Sequence, residues 1–305
     1  MTKPAPFAEN VRGIVLICLC QGLFLGNDTL IKLVSEDLPL TQIIFFRGMM
    51  ATAVLVPLAW WMGALRSWRV VLVWPVFWRT FSEIAAAYTF LTALLHIPIG
   101  NANAIGQVTP LMITAAGAIF LGERVGWRRW TAIVVGFLGV LVIIRPGLDG
   151  FTAFSLLAVA SAGFITMRDI LSRLLPAHVP NLLLATVTAF VVGTSGPVLA
   201  PVFGQTWVTP TPQALGIIAC AVAFVTGAYL TAFEYMRHGD ISVVAPFRYT
   251  VIVMAIAVGF IVWGEIPDIY MIIGTAIIAA TGIYTFSRER NMARLRAEAA
   301  AGEGL

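Results

Sequence analysis

The chain has 305 residues, 59% of them hydrophobic and only 11% charged, with a mean hydropathy of +0.91. A soluble domain carries about 25% charged residues, so too little charge is present to cover a water-facing surface, and lipid must be the solvent for most of the chain. The net charge of +4 and pI near 9.2 do not indicate nucleic acid, because the basic residues fall in short clusters between apolar runs and form no continuous basic face.

A helix crossing the hydrocarbon needs about 20 mostly apolar residues. Ten such runs follow one another: 12–34, 40–62, 70–95, 100–121, 127–144, 151–172, 180–201, 212–236, 241–263 and 268–286. Turn residues separate them, among them Ser35-Glu36-Asp37, Ile97-Pro98, Arg145-Pro146-Gly147 and Thr209-Pro210-Thr211-Pro212. Residues 1–11 lack the basic start and cleavage site of a signal peptide, so the first run is expected to stay in the protein. The tail 287–305 is charged and alanine-rich. Cys18, Cys20 and Cys220 lie inside apolar runs, without disulfide-framework or metal spacing, and read as small core residues.

Cytoplasmic loops are enriched in Lys and Arg. With the N-terminus inside, the inner segments collect Lys3, Arg12, Arg66, Arg69, Arg124, Arg128, Arg129, Arg168, Arg173, Arg237, Arg288, Arg290, Arg294 and Arg296, while the outer ones receive Lys32 and Arg145. This asymmetry supports ten spans with both termini in the cytoplasm.

Shifting the chain on itself by 142 residues pairs span four with span nine. His96 meets His238, Ile99 meets Ile241, and Met112, Ala115, Gly117, Ile119, Gly122 and Glu123 meet Met254, Ala257, Gly259, Ile261, Gly264 and Glu265. That is eight identities over 28 positions, against roughly three by chance in so biased a composition. Five crossings per copy force the second copy to enter from the opposite side. The charges agree: Arg124, Arg128 and Arg129 follow the first Gly-Glu, whereas Pro267-Asp268 follows the second. The expected fold is therefore all-α and integral to the membrane, ten helices in two inverted five-helix repeats over 12–145 and 150–286. Such repeats build secondary transporters with the substrate site near the midplane.

Ionisable side chains at the bilayer centre cost at least ~2.5–3.5 kcal/mol and should face the bundle interior or a wet cavity. Gln21, Phe24 and Asp28 share one face of span one. In span three Arg79 and Glu83 lie one turn apart and can pair; they read as pathway residues, with Glu83 taking a substrate ammonium or a proton, or as a structural ion pair. Trp78 lies deeper than the span-end belt of Trp60, Trp61, Trp68, Trp127, Trp130 and Trp263, and is the better candidate for stacking on a solute. Span four carries Asn103, Gln107 and Thr114, interrupted by Pro110, which frees a backbone carbonyl. Tyr229 and Phe233 share a face of span eight, in a stripe that fits core packing as well as a substrate wall, with Glu234 near its end. Span nine has Pro246, Arg248 and Tyr249, with Arg248 about 12 Å in from the cytoplasmic end by helical rise, placed to meet a carboxylate or to cap a carbonyl. Pro110 and Pro246 are the expected helix breaks.

Other classes fit less well. Gly193-Thr194-Ser195-Gly196 echoes an intramembrane serine protease, but His96, His178 and His238 all lie at span ends, away from a serine nucleophile's base. No P-loop implies an ATPase subunit, no filter motif implies a channel, and no cofactor or metal motif is found.

The sequence resembles the ten-helix drug/metabolite transporter superfamily with its paired EamA-type repeats. The resemblance lies in Gly26-Asn27-Asp28-Thr29-Leu30-Ile31-Lys32, in Phe46-Arg47, in Tyr88 through Ala104 leading to Pro110 and Gly122-Glu123, and in Ala245-Pro246-Phe247-Arg248-Tyr249 leading to Gly264-Glu265. It covers about residues 12–286 and looks closest to the YddG-type aromatic amino acid exporters. Asp28 departs from the family pattern, which has an apolar residue after the Asn. The resemblance implies a cofactor-free exporter of amino acids and related small metabolites, working by alternating access in a bacterial inner membrane. The alternative is a carrier of another drug-like or cationic metabolite.

Overall fold

A computed structural model describes residues 7–65, 73–123, 125–147, 152–175, 179–235 and 244–302. The described residues form helices and no strands: α1 (Phe7–Val34), α2 (Leu40–Trp61), α3 (Trp74–His96), α4 (Ile99–Gly106), α5 (Thr109–Phe120), α6 (Trp127–Ile144), α7 (Ala153–Arg173), α8 (Asn181–Leu199), α9 (Pro212–Tyr235), a 3-10 segment (Ala245–Tyr249), α10 (Thr250–Trp263) and α11 (Ile269–Gly302). With α4 and α5 as one broken crossing, and the 3-10 segment with α10 as another, these are ten membrane helices. Eight are long and apolar enough to span by composition alone. The run Ile269–Thr285 is a shorter apolar helix, and α3 carries Arg79 and Glu83 in its interior.

The register of 142 residues recurs in the backbone. Gly122 and Gly264 both take the left-handed conformation, at φ 68° and 67°, which a glycine adopts without a Cβ penalty at the end of a helix. In each copy the next residue donates its N–H six residues back, Glu123 to the Gly117 carbonyl at 3.1 Å and Glu265 to the Gly259 carbonyl at 3.0 Å. Each glutamate carboxylate then folds over that same glycine, where a Cβ would stand only 2.6 Å from its oxygen. The repeated Gly-Glu is thus a helix stop with a carboxylate placed beside it. In the second copy the stop has a visible purpose: Glu265 accepts the N–H of Ile99 at 2.9 Å, satisfying an orphan donor at the start of α4. Replacing Glu265 by Ala should lower stability by about 1–2 kcal/mol in thermal unfolding of the purified protein. Replacement by Gln, which keeps an acceptor, should cost little; equal losses would show that the cap is unimportant.

The chain divides into two compact units that cut across the two sequence repeats. One comprises Met1–Leu25, Ile99–Phe151 and Thr226–Leu305. Within it α6 packs along α11, and α4 packs against α10. Glycine brings the first pair together, since a Cβ on Gly139 would lie 3.0 Å from the Gly274 carbonyl oxygen. Arg145, the C-cap of α6 with φ 53°, pairs with Asp268 and lies over the Tyr270 ring at 4.3 Å.

The other unit comprises Gly26–Pro98 and Thr152–Val225. Here α2 packs on α8 and α3 on α7. A Cβ at Gly48 would land on the Gly193 backbone, and one at Gly196 on the Thr41 carbonyl at 2.5 Å. The Gly193-Thr194-Ser195-Gly196 stretch is therefore close packing within a continuous helix: Ser195 donates to the Val192 carbonyl at 2.6 Å, and its hydroxyl lies within hydrogen-bond distance of the Tyr88 hydroxyl, at 3.3 Å. Lys32 donates to the Ile97 carbonyl at 3.1 Å, so both basic residues that the sequence assigns to the outer side are held by local partners.

The cysteines are all free. Cys20 is buried and donates to the Ala228 carbonyl, but Cys220 is exposed instead of lying in the core. Trp60, Trp61, Trp127 and Trp130 are exposed as interface residues should be; Trp68 lies outside the described residues.

Candidate functional site

Both broken helices break at one register. Span four stops at Gly106, turns through Gln107 and Val108, and restarts as α5 at Thr109, with Pro110 in its first turn. Span nine runs as 3-10 helix over Ala245–Tyr249, with Pro246 in its first turn, and becomes α-helical at Thr250. Under the 142-residue shift Gln107 falls on Tyr249. Proline cannot donate a backbone N–H, so carbonyls are released at each break, and nearby hydroxyls accept the task. Thr109 donates to Gly106 at 2.7 Å, Thr114 to Pro110 at 2.9 Å, and Thr250 to Phe247 at 2.6 Å.

The two breaks meet inside the first unit. Arg248 donates through Nε to the Gln107 side-chain oxygen at 3.2 Å. Gln21 of α1 donates to the Arg248 backbone carbonyl at 2.9 Å. The guanidinium is thereby held at one nitrogen, and its two terminal nitrogens make no hydrogen bond or ion pair with a described residue. Tyr249 beside it is buried, and its hydroxyl rests on Gly282 without a hydrogen-bond partner among the described residues. Asn103, one turn before Gln107, is buried and turned back to the Ile99 carbonyl at 3.1 Å. Phe24, one turn after Gln21, meets Tyr229 edge to face at 5.4 Å. The Phe233 side chain lies outside the described residues. Arg248 is thus a partly buried arginine within a span, held through Nε by Gln107.

The second unit holds the remaining candidates in a different arrangement. Arg79 and Glu83 do not pair, although their spacing allows it. Glu83 is held instead by Arg168 of α7, at 3.2 and 3.3 Å to its two oxygens. Arg79 donates to Ser172 at 3.0 Å and Thr188 at 2.8 Å, bridging α7 and α8. Arg168 also binds Asp169 at 2.8 Å. The cross-helix partners won because α3 and α7 pack closely along their length. Trp78 packs edge to face with Trp74, Phe77 and Phe81, all three exposed, so it belongs to an aromatic cluster on an exposed face of α3. Asp28 is buried and accepts from the Asn27 amide at 3.0 Å.

Sequence reasoning counted Arg168 only among inner basic residues and did not identify the Glu265 cap. The matched pairs Ile99/Ile241 and Glu123/Glu265 carried the signal for the cap.

These features define a polytopic helical membrane protein whose two broken helices meet at Gln107 and Arg248. Residues 11–145 match the EamA-like transporter family. An S-adenosylmethionine uptake transporter of Rickettsia prowazekii is 26% identical over 87% of this chain and 90% of its own length. A pseudopaline exporter of Pseudomonas aeruginosa is 26% identical over 89% of this chain and 94% of its own. A riboflavin transporter of Vibrio cholerae is 25% identical over 85% and 89%. One solved crystal structure shares the fold with a TM-score of 0.62 at 20% identity, over 92% of this chain and 98% of the other. Over residues 11–145 the chain is thus similar to EamA-like transporters, and over most of its length to proteins named as transporters of small molecules.

Proposed function

We propose that the protein is a secondary carrier that exports amino acids and related small metabolites across a bacterial inner membrane by alternating access, with both termini in the cytoplasm. The observation that carries this reading is the Arg248 guanidinium, fixed by Gln107 at the junction of two broken helices and open at its terminal nitrogens. It supplies a paired donor for a carboxylate, at the kind of helix discontinuity where carriers bind substrate. Gln21, Phe24, Tyr229 and Tyr249 are the remaining candidate contacts of the site. Asp28, Trp78, Arg79 and Glu83 take part in the pathway through the second unit.

The relatives support a small-metabolite substrate, and S-adenosylmethionine is itself an amino acid derivative. They are named for both uptake and export, so direction rests on the family resemblance. Reconstituted protein should transport at least one of Phe, Thr, Lys and Glu in a liposome panel run with and without a proton gradient. Indifference to every amino acid would remove the substrate half of the proposal.

A further inference from the structure

The seam between α6 and α11 is closed at Gly139 and Gly274. Nearer the start of α6 it leaves a cavity of about 400 Å³, lined by Trp127, Arg128, Thr131, Val135, Thr281 and Tyr284 among others. Its mouth and floor differ in chemistry. At the mouth Trp127 and Tyr284 are exposed, and the Arg128 guanidinium lies 5.3 Å from the Trp127 ring centroid with no ion pair or hydrogen bond to a described residue. Between these groups the lining is apolar, with Ala132 buried and Val135 and Ala280 exposed along it. The two threonine hydroxyls donate to their own helices, Thr131 to the Arg128 carbonyl and Thr281 to the Ile277 carbonyl, both at 2.8 Å. Arg128 is thus the group left to meet a charged ligand.

We propose that this cavity is a binding site for an anionic phospholipid, whose phosphate meets Arg128 while an acyl chain follows the apolar walls between the helices. A cation flanked by amphipathic aromatic residues above an apolar cleft matches the polarity profile of a lipid from headgroup to tail. The volume falls in the range of small-molecule sites, about 300–1,000 Å³. A second copy of the chain fits less well, because a two-fold contact sets the same patch against itself and would bring Arg128 towards Arg128.

Native mass spectrometry of the purified full-length protein, titrated with phosphatidylglycerol and phosphatidylcholine of matched chains, tests the site. Phosphatidylglycerol should bind about five-fold more tightly, the effect of one basic residue at the headgroup level. Arg128→Gln should abolish that preference while leaving phosphatidylcholine binding unchanged. Val135→Trp, which fills the cavity from an exposed position, should weaken both. Equal affinities in the unsubstituted protein, or a preference that survives Arg128→Gln, would overturn the proposal. So would a dimer abolished by Val135→Trp, which would assign the cleft to a second copy. Because Arg128 is exposed, its replacement decides the matter even if the tryptophan variant fails to fold.

Discussion

Replacing Arg248 by Gln is expected to abolish transport while leaving the folded protein in the membrane. Removing one partner of a desolvated charge pair costs about 2–5 kcal/mol of binding, so the affinity for a carboxylate substrate should fall at least ~30-fold. Stability should move little or even rise. A cation within a span costs about 2.5–3.5 kcal/mol on insertion scales, and among the described residues the bond surrendered by its side chain is the one to Gln107. A purely structural arginine would behave in the opposite way, with stability and transport falling together. Arg248→Lys keeps the charge but loses the planar fork and should retain a minor fraction of activity. The methyl ester of a transported amino acid should be a poor ligand for the unsubstituted protein and should lose nothing further in Arg248→Gln. Retention of full transport by Arg248→Gln would remove the arginine from the site.

Arg168→Gln is expected to be more damaging to the fold than any change at Glu83. One guanidinium serves two carboxylates, Glu83 at 3.2 and 3.3 Å and Asp169 at 2.8 Å, and all three groups are partly buried. Its loss strands both acids. Fully buried pairs lose about 3–5 kcal/mol when one partner is removed. With the Arg168 and Glu83 side chains 23% and 22% exposed, roughly 2–4 kcal/mol is the expected loss here. Glu83→Gln should cost about 1 kcal/mol or less, because Arg168 keeps Asp169 and the amide oxygen still accepts. The double variant Glu83→Gln with Arg168→Gln should recover part of the loss. Thermal unfolding of the four proteins measures the cycle. Transport adds a second readout: Glu83→Gln with stability unchanged but export lost would place Glu83 on the pathway, and export retained would leave it a structural partner.

Much of the architecture could be read from the chain alone because lipid imposes a simple rule. Apolar runs of span length gave the ten helices, and the 142-residue register survives in the matching left-handed glycines Gly122 and Gly264. Pro110 and Pro246 both fall in the first turns of new segments. What the sequence could not display was partner choice across helices. Arg79 and Glu83 satisfy the one-turn rule, yet Glu83 is bound by a residue 85 positions later, on the helix α7 that packs along α3. The Gln107–Arg248 bond spans 141 positions and follows from two breaks meeting, which local spacing does not encode. The compact units were hidden for the same reason: each recruits helices from both halves of the chain.

The most direct measurement is counterflow in liposomes reconstituted with the unsubstituted protein. Vesicles preloaded with an unlabelled amino acid should accumulate the labelled one transiently above its equilibrium level, and those carrying Arg248→Gln should not. Uptake that is indifferent to preloading, or that proceeds undiminished without Arg248, would contradict a carrier whose substrate is held where the two broken helices meet.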